Sequence, residues 1–171
     1  MSGIKSIYFK YFSKFFYFVS VLLKKSYQYN LHKKYRTRYQ IADSFYFAGD
    51  DVLLEGGGNI VLGKNSHIAR RSWLNSAEGT TITIGNDTRI ASNVTMITSN
   101  TKSKQDFSTS KERSIGDIVI GNNCWIGVNV YIKEGVSIGD NCIIGANSIV
   151  TKDIPSNSIV TGANKVRINN E

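Results

Sequence analysis

The sequence predicts a mainly β protein whose chain winds as a parallel β-helical solenoid, preceded by a helical arm. Two observations lead to this prediction. Aliphatic residues recur at every sixth position in the second half of the chain, and the first 38 residues combine helically spaced apolar residues with nine basic residues and no acidic one. A six-residue period is neither the two-residue period of an ordinary strand nor the 3.6-residue period of a helix.

The six-residue period also predicts the core. It holds without a slip at Ile120, Ile126, Ile132, Ile138, Ile144 and Val150, and shorter runs begin at Leu62 and Ile84. Each unit is long enough for one short strand and one turn, so three units close a triangular coil and each aliphatic stacks on the residue one coil later. Glycine or asparagine at the corners, as in Gly121-Asn122-Asn123, supplies the positive φ that such turns require.

Two interruptions break the period. The spacing of ten between Leu74 and Ile84 predicts a small bulge at residues 76–80. Residues 98–117 are polar and irregular, and they predict a long loop that projects from one corner. Long loops in compact domains are commonly functional.

Composition excludes several classes of protein. With 171 residues, 41% of them apolar, the chain suits one folded domain with an appendage, and no apolar run is long enough to cross a bilayer. Two cysteines and two histidines are too few for a disulfide scaffold or a three-histidine metal centre, so no metal is expected. Cys124 and Cys142, one coil apart, are expected to be small core residues.

The net charge of +8 belongs to the arm and not to the body. Residues 1–38 carry +9, which leaves −1 for the rest of the chain, so no nucleic-acid-binding surface is expected.

The arm, residues 1–40, is expected to be a basic amphipathic helix in front of a solenoid domain at residues 41–171. It either lies in the headgroup region of an anionic membrane or packs on its own domain or a partner subunit. A cleaved signal peptide is not expected, because Lys24 and Lys25 follow the apolar stretch where a small-residue cleavage site would stand. The body is therefore expected in the cytoplasm, with peripheral contact at the inner face of the membrane.

From Leu54 to Arg167 the sequence resembles the hexapeptide-repeat acyltransferases, and within them the sugar O-acetyltransferases. The most specific stretch runs from Gly116 to Pro155, including GDIVIGNNCWIGVNV, and is followed by Ile159-Val-Thr-Gly162. The resemblance implies a left-handed β-helix and a homotrimer with active sites between neighbouring subunits. It also implies acetyl-CoA as the acyl donor and a sugar hydroxyl as the acceptor.

The resemblance further implies which residues bind the donor: Trp125 near the reactive end, Gly127 and Ala146 at corners beside the pantetheine, Thr151 and Lys152 further along, and Lys165 and Arg167 at the nucleotide phosphates. Small residues beside the pantetheine and cations beside the phosphates fit this ligand. The chain lacks the proline that family members carry in the turn before these last cations. Its absence shifts the register of the last basic residues by about one position.

The family's general base, a loop histidine, is absent here. Its segment reads Asn100-Thr101-Lys102; asparagine cannot act as a base, and lysine can do so only if burial strongly lowers its pKa. The remaining histidines are His32 in the arm and His67, which precedes the inward Ile68 and should point outward. His67 is either an exposed structural residue or a base that reaches the cleft of a neighbouring subunit, helped by Asn75.

The resemblance and the missing histidine leave two functions open. The leading one is an acetyl-CoA-dependent O-acetyltransferase that acts on a sugar hydroxyl of a cell-surface polysaccharide or its precursor. The alternative is a catalytically degenerate hexapeptide-repeat protein that serves as a binding or scaffold subunit.

Overall fold

The structure, a computed structural model, describes residues 2–162 and 165–168, with side chains for residues 11–162. The chain divides into two units, Met1–Thr37 and Arg38–Glu171. Helix α1 spans Ser2–Arg38, beginning in the first unit and ending at the start of the second. Within the described residues, no helix is long and apolar enough to cross a membrane. The second unit is a solenoid.

Five coils of three short strands each make up the described part of the solenoid. The first two coils comprise β1 (Gln40–Ile41), β2 (Tyr46–Ala48), β3 (Leu53–Glu55), β4 (Asn59–Leu62), β5 (His67–Ala69) and β6 (Trp73–Asn75). The third coil and the hairpin after it comprise β7 (Thr81–Ile84), β8 (Arg89–Ile90), β9 (Thr95–Ile97), β10 (Ser99–Thr101) and β11 (Arg113–Ile115). The fourth and fifth coils comprise β12 (Ile118–Ile120), β13 (Trp125–Ile126), β14 (Tyr131–Ile132), β15 (Ser137–Ile138), β16 (Ile143–Ile144) and β17 (Ile149–Val150). The chain continues with β18 (Ser158–Thr161) and β19 (Lys165–Ile168).

The strands form three parallel sheets, one on each side of the solenoid. The first strand of every coil lies in face 1, the second in face 2 and the third in face 3. Face 2 is extended by β18, and β19 pairs with β18 in the antiparallel direction. This architecture confirms the predicted β-helical fold class.

The inward aliphatic residues stack in register from coil to coil. On face 2 they are Phe47, Ile68, Ile90, Ile126, Ile144 and Val160, and all except Phe47 are buried. Burying one such side chain stabilises the fold by about 1.5–3 kcal/mol. The core predicted from the six-residue period is therefore confirmed. It also extends one coil further toward the N-terminus than the run that begins at Leu62.

At the corners before β13 and β16, asparagine and not glycine makes the left-handed turn. Asn123 and Asn141 have φ values of 53° and 58°. Gly121 is required for a different reason, since a Cβ there would lie 2.7 Å from the carbonyl carbon of Gly139 in the next coil. These two corners thus need positive φ as predicted, and Gly121 permits the close approach of neighbouring coils, whereas Gly135 supplies positive φ itself, with a φ of 81°.

Cys124 and Cys142 are free and buried in adjacent coils, which confirms their prediction as core residues. Burial raises the pKa of the Cys124 thiol, so this group is held in its neutral form.

Both interruptions of the period occur where they were predicted. The bulge closes through Ser76 Oγ, which donates to the Thr80 carbonyl at 2.9 Å. The long segment begins and ends as an antiparallel hairpin of β10 and β11, and the Gly116 amide donates to the Thr98 carbonyl at 3.0 Å where the chain rejoins the solenoid.

Candidate functional site

Asn100, one of the positions at which the resemblance leads us to expect a loop histidine, lies at the base of the hairpin. Asn100, on β10, donates from Nδ2 to the Tyr131 hydroxyl at 2.9 Å and to the Glu134 carboxylate. Tyr131 begins β14 on face 3, and Glu134 follows that strand at the next corner. Asn100 is therefore fixed by two side chains of the fourth coil.

Glu134 is an ionised group in a buried setting. Its side chain is only 3% exposed, and Lys133 Nζ lies 3.3 Å from Oε1. Burial alone would raise the pKa of this carboxyl. Hydrogen bonds from Asn100, its own backbone amide, Ser114 and Lys133 together outweigh burial and lower the pKa below its usual value.

Lys102 forms an exposed ion pair. Its Nζ lies 3.0 Å from Glu112 Oε2, and the two side chains are 52% and 62% exposed. The burial that a lysine base would need is therefore absent.

His67 lies on the outer row of face 2, between Tyr46 and Arg89 in the neighbouring strands. Its ring stacks on that of Tyr46, with centroids 4.9 Å apart and planes inclined by 28°. Because Tyr46 covers one side of the ring, His67 is half-buried, so the expectation of an exposed histidine was wrong. Burial, and then the positive charge of Arg89, lower its pKa below 6.5, which leaves the imidazole neutral at pH 7.

Trp125 continues this row one strand beyond Arg89 and is 55% exposed. Beside it runs an open groove with a volume of about 830 Å³. The groove is lined by residues of face 2 and of the corner that precedes it: Asn65, Asp87, Arg89, Asn123, Cys124, Trp125, Asn141 and Ile143. An aromatic face, a cation and several amides are thereby brought together on one side of the solenoid.

The other residues predicted to bind acetyl-CoA lie at different corners. Gly127 and Ala146 meet between faces 2 and 3, where a Cβ on Gly127 would lie 2.6 Å from the Ala146 nitrogen. The fold itself thus requires this glycine, with or without a ligand. Thr151 and Lys152 are exposed after face 3. The side chains of Lys165 and Arg167 lie outside the described residues.

The structure separates His67 from Asn75 within one chain, since they lie on faces 2 and 3. A joint role would require two subunits.

Sequence reasoning missed Tyr131 and Glu134. The register could have indicated Tyr131, which pairs with Thr95 just before the loop leaves the solenoid.

No cluster of three or more metal-ligating side chains occurs among residues 11–162.

The chain is similar to known transferases and acetyltransferases. Residues 117–152 match the family model described as bacterial transferase hexapeptide (six repeats). The chain is 39% identical over 126 residues to the galactoside O-acetyltransferase of Escherichia coli K12. The matched region covers 71% of this chain and 62% of that relative. The chain thus spans less than two thirds of the length of that relative.

Two solved structures share the fold. One is a hexapeptide-repeat containing acetyltransferase from Vibrio cholerae complexed with acetyl coenzyme A, with 26% identity, a TM-score of 0.64 and coverage of 85% of this chain and 76% of that one. The other is a maltose O-acetyltransferase from Clostridium difficile 630, with 26% identity, a TM-score of 0.58 and coverage of 86% of both chains.

Proposed function

The chain is a hexapeptide-repeat protein with the fold of the hexapeptide-repeat acetyltransferases, and we propose that it is an acetyl-CoA-dependent O-acetyltransferase acting on a sugar hydroxyl. The observation that carries the proposal is the outer row of face 2. A neutral, half-buried His67 lies two strands, about 10 Å, from the exposed Trp125 beside an open groove. The names of the relatives supply the acyl group and the acceptor class.

In the proposed reaction His67 takes the proton of the acceptor hydroxyl as its oxygen attacks the thioester carbonyl. A carbon–oxygen bond forms and the carbon–sulfur bond breaks. The thiolate of CoA then leaves and takes up the proton from the imidazolium. The lowered pKa of His67 suits this role, because an imidazole that is neutral at pH 7 can accept a proton.

Incubation with labelled acetyl-CoA and a panel of sugars and surface glycans tests this function. Transfer of label to a hydroxyl supports the enzyme. If no sugar is labelled while acetyl-CoA still binds, the protein is instead a degenerate binding subunit, a function that the amide of Asn100 in place of a histidine would favour.

We propose that the active form is a homotrimer, because His67 and Asn75 lie on different faces and can share one cleft only across subunits. Light scattering should give about three times the chain mass of 19.0 kDa. A monomer at micromolar concentration would contradict an active site between subunits.

Helix α1 is proposed to hold the enzyme at an anionic membrane that carries a lipid-linked glycan precursor. At 3.6 residues per turn, one half of the helix carries exposed Tyr11, Phe12, Phe15, Phe16, Leu22 and Leu23. The other half carries exposed Lys14, Lys24 and Lys25, with the exposed Tyr17 between them. Aromatic rings at the headgroup level and lysines beside anionic lipids are the features of an interfacial helix.

The protein should therefore sediment with anionic liposomes at low salt and be released as ionic strength rises, because salt screens exposed charges. The double variant Lys24→Glu/Lys25→Glu should bind more weakly, whereas Lys104→Glu/Lys111→Glu in the hairpin loop should bind like the parent. Equal binding to neutral liposomes would contradict the electrostatic part of the proposal.

Lys165 and Arg167 are proposed to contact the phosphates of acetyl-CoA. Replacing either by alanine should raise the KM for acetyl-CoA with little change in kcat, because these contacts are the same in the ground and transition states. Steady-state kinetics measure both constants, and Lys111→Ala, which removes an exposed loop cation, serves as the control. A fall in kcat at an unchanged KM for acetyl-CoA would contradict the proposed contact of these residues with the phosphates.

A further inference from the structure

The amide of Asn100 is held in one orientation. Both hydrogens of Nδ2 have acceptors, the Tyr131 hydroxyl and the Glu134 carboxylate. A rotation of the amide by half a turn would place its oxygen against that carboxylate, with no hydrogen between the two acceptors. The ionised, buried Glu134 therefore dictates which way Oδ1 points.

The Asn100 carbonyl oxygen remains open to a ligand. Among the described residues none donates to Oδ1, and this oxygen is not one of the buried polar atoms without a partner, so it is accessible to solvent. An oxygen of this kind accepts a hydrogen bond and cannot donate one, so it selects a hydroxyl or another N–H or O–H donor.

The support beneath Asn100 is rigid. Arg113 on the opposite strand donates from Nε to Ser99 Oγ at 2.6 Å and from Nη2 to the Ser99 carbonyl at 3.0 Å. Ser99 is itself buried. The neighbour of Asn100 is thereby fixed to the hairpin, while Tyr131 and Glu134 fix Asn100 to the solenoid.

We propose that Asn100 Oδ1 accepts a hydrogen bond from a hydroxyl of the acceptor sugar, and that Glu134 is the positioning residue that aims it. This inference rests on the proposed acetyltransferase function. Asn100 then orients the acceptor without acting as its base, and the proton leaves to another group.

Kinetics of four variants test the inference. Asn100→Ala should raise the KM for the acceptor about 3–10-fold, the effect of one neutral hydrogen bond, at unchanged KM for acetyl-CoA. Glu134→Ala should raise the KM for the acceptor by a similar factor. Glu134→Gln should keep this KM close to the parent value, because the amide oxygen of glutamine still accepts a hydrogen bond from Nδ2. Glu112→Ala, which removes an exposed carboxylate from the same hairpin, is the matched control and should behave like the parent.

The double variant Asn100→Ala/Glu134→Ala distinguishes positioning from a general structural role. If Glu134 acts through Asn100, the double variant should be no worse than Asn100→Ala alone. Additive losses, or an unchanged acceptor KM in Asn100→Ala, would overturn the proposal.

A measurement without turnover tests the contact itself. In Asn100→His the imidazole at position 100 should titrate above its ordinary pKa by NMR, because the Glu134 carboxylate favours the charged ring, and adding Glu134→Gln should lower that pKa. A pKa that does not respond to Glu134→Gln would overturn the positioning role even in an active enzyme. A parent that labels no hydroxyl would instead refute the proposed function and the acceptor contact, and the titration would still decide whether Glu134 faces position 100.

Discussion

Replacing His67 by alanine is expected to lower kcat about 10²–10⁴-fold and to leave the KM for acetyl-CoA nearly unchanged. Removal of a general base raises the energy of the transition state and leaves the ground-state contacts of the donor intact. The kcat/KM of the parent should also fall at low pH, where His67 becomes protonated and can no longer accept a proton. Because the pKa of His67 lies below 6.5, this loss should have its midpoint below pH 6.5, and it should be absent from His67→Ala.

His32→Ala provides the control for this experiment, since it removes the other histidine of the chain from helix α1. Its kcat should match that of the parent. Strong activity in a variant that lacks both histidines would rule out a histidine base and leave positioning of the hydroxyl as the main contribution.

Ile126→Ala should lower the free energy of unfolding by about 2–5 kcal/mol, the range for truncating a large aliphatic in a core that cannot collapse around the gap. Ile126 is fully buried and stacks between Ile90 and Ile144 in the adjacent coils. Both neighbours are held by sheet hydrogen bonds, which prevents them from closing the cavity. Urea unfolding measures the change.

The matched control is Val119→Ala, on the outer row of face 1, where the side chain is 39% exposed. Its effect should stay near 0.5 kcal/mol or less. Equal losses in the two variants would contradict the inward stacking of Ile126.

The regular part of the fold could be predicted because one physical requirement, an inward aliphatic in every strand, recurs at fixed spacing. The first coil does not keep the six-residue spacing, so the pattern did not predict it. Its inward Phe47 and Leu54 are seven residues apart and not six, and the extra residue lies near Asp51, which adopts a φ of 62°. Leu62, the next inward residue, follows Leu54 after eight positions, so three extra residues hide the period although the stacking continues.

The candidate site was less accessible to sequence reasoning because it depends on contacts across coils. Asn100 and Glu134 are 34 positions apart, and nothing in their local sequence pairs them. A glutamate at a solenoid corner is ordinarily solvated, so its burial under the hairpin could be learned only from the structure. His67 is similar, since its partial burial comes from Tyr46 in the preceding coil.

The hydrogen bond between Thr98 and Gly116 has an evolutionary consequence. The hairpin leaves and rejoins the solenoid at one point, and coils three and four stack directly through β7 and β12. The outer part of the segment between these two residues can therefore be lengthened or shortened without changing a repeat, whereas its base is tied to the fourth coil through Asn100, Tyr131 and Glu134. Descendants of one solenoid could in this way acquire new acceptors by altering one insertion while the groove beside Trp125 is inherited intact.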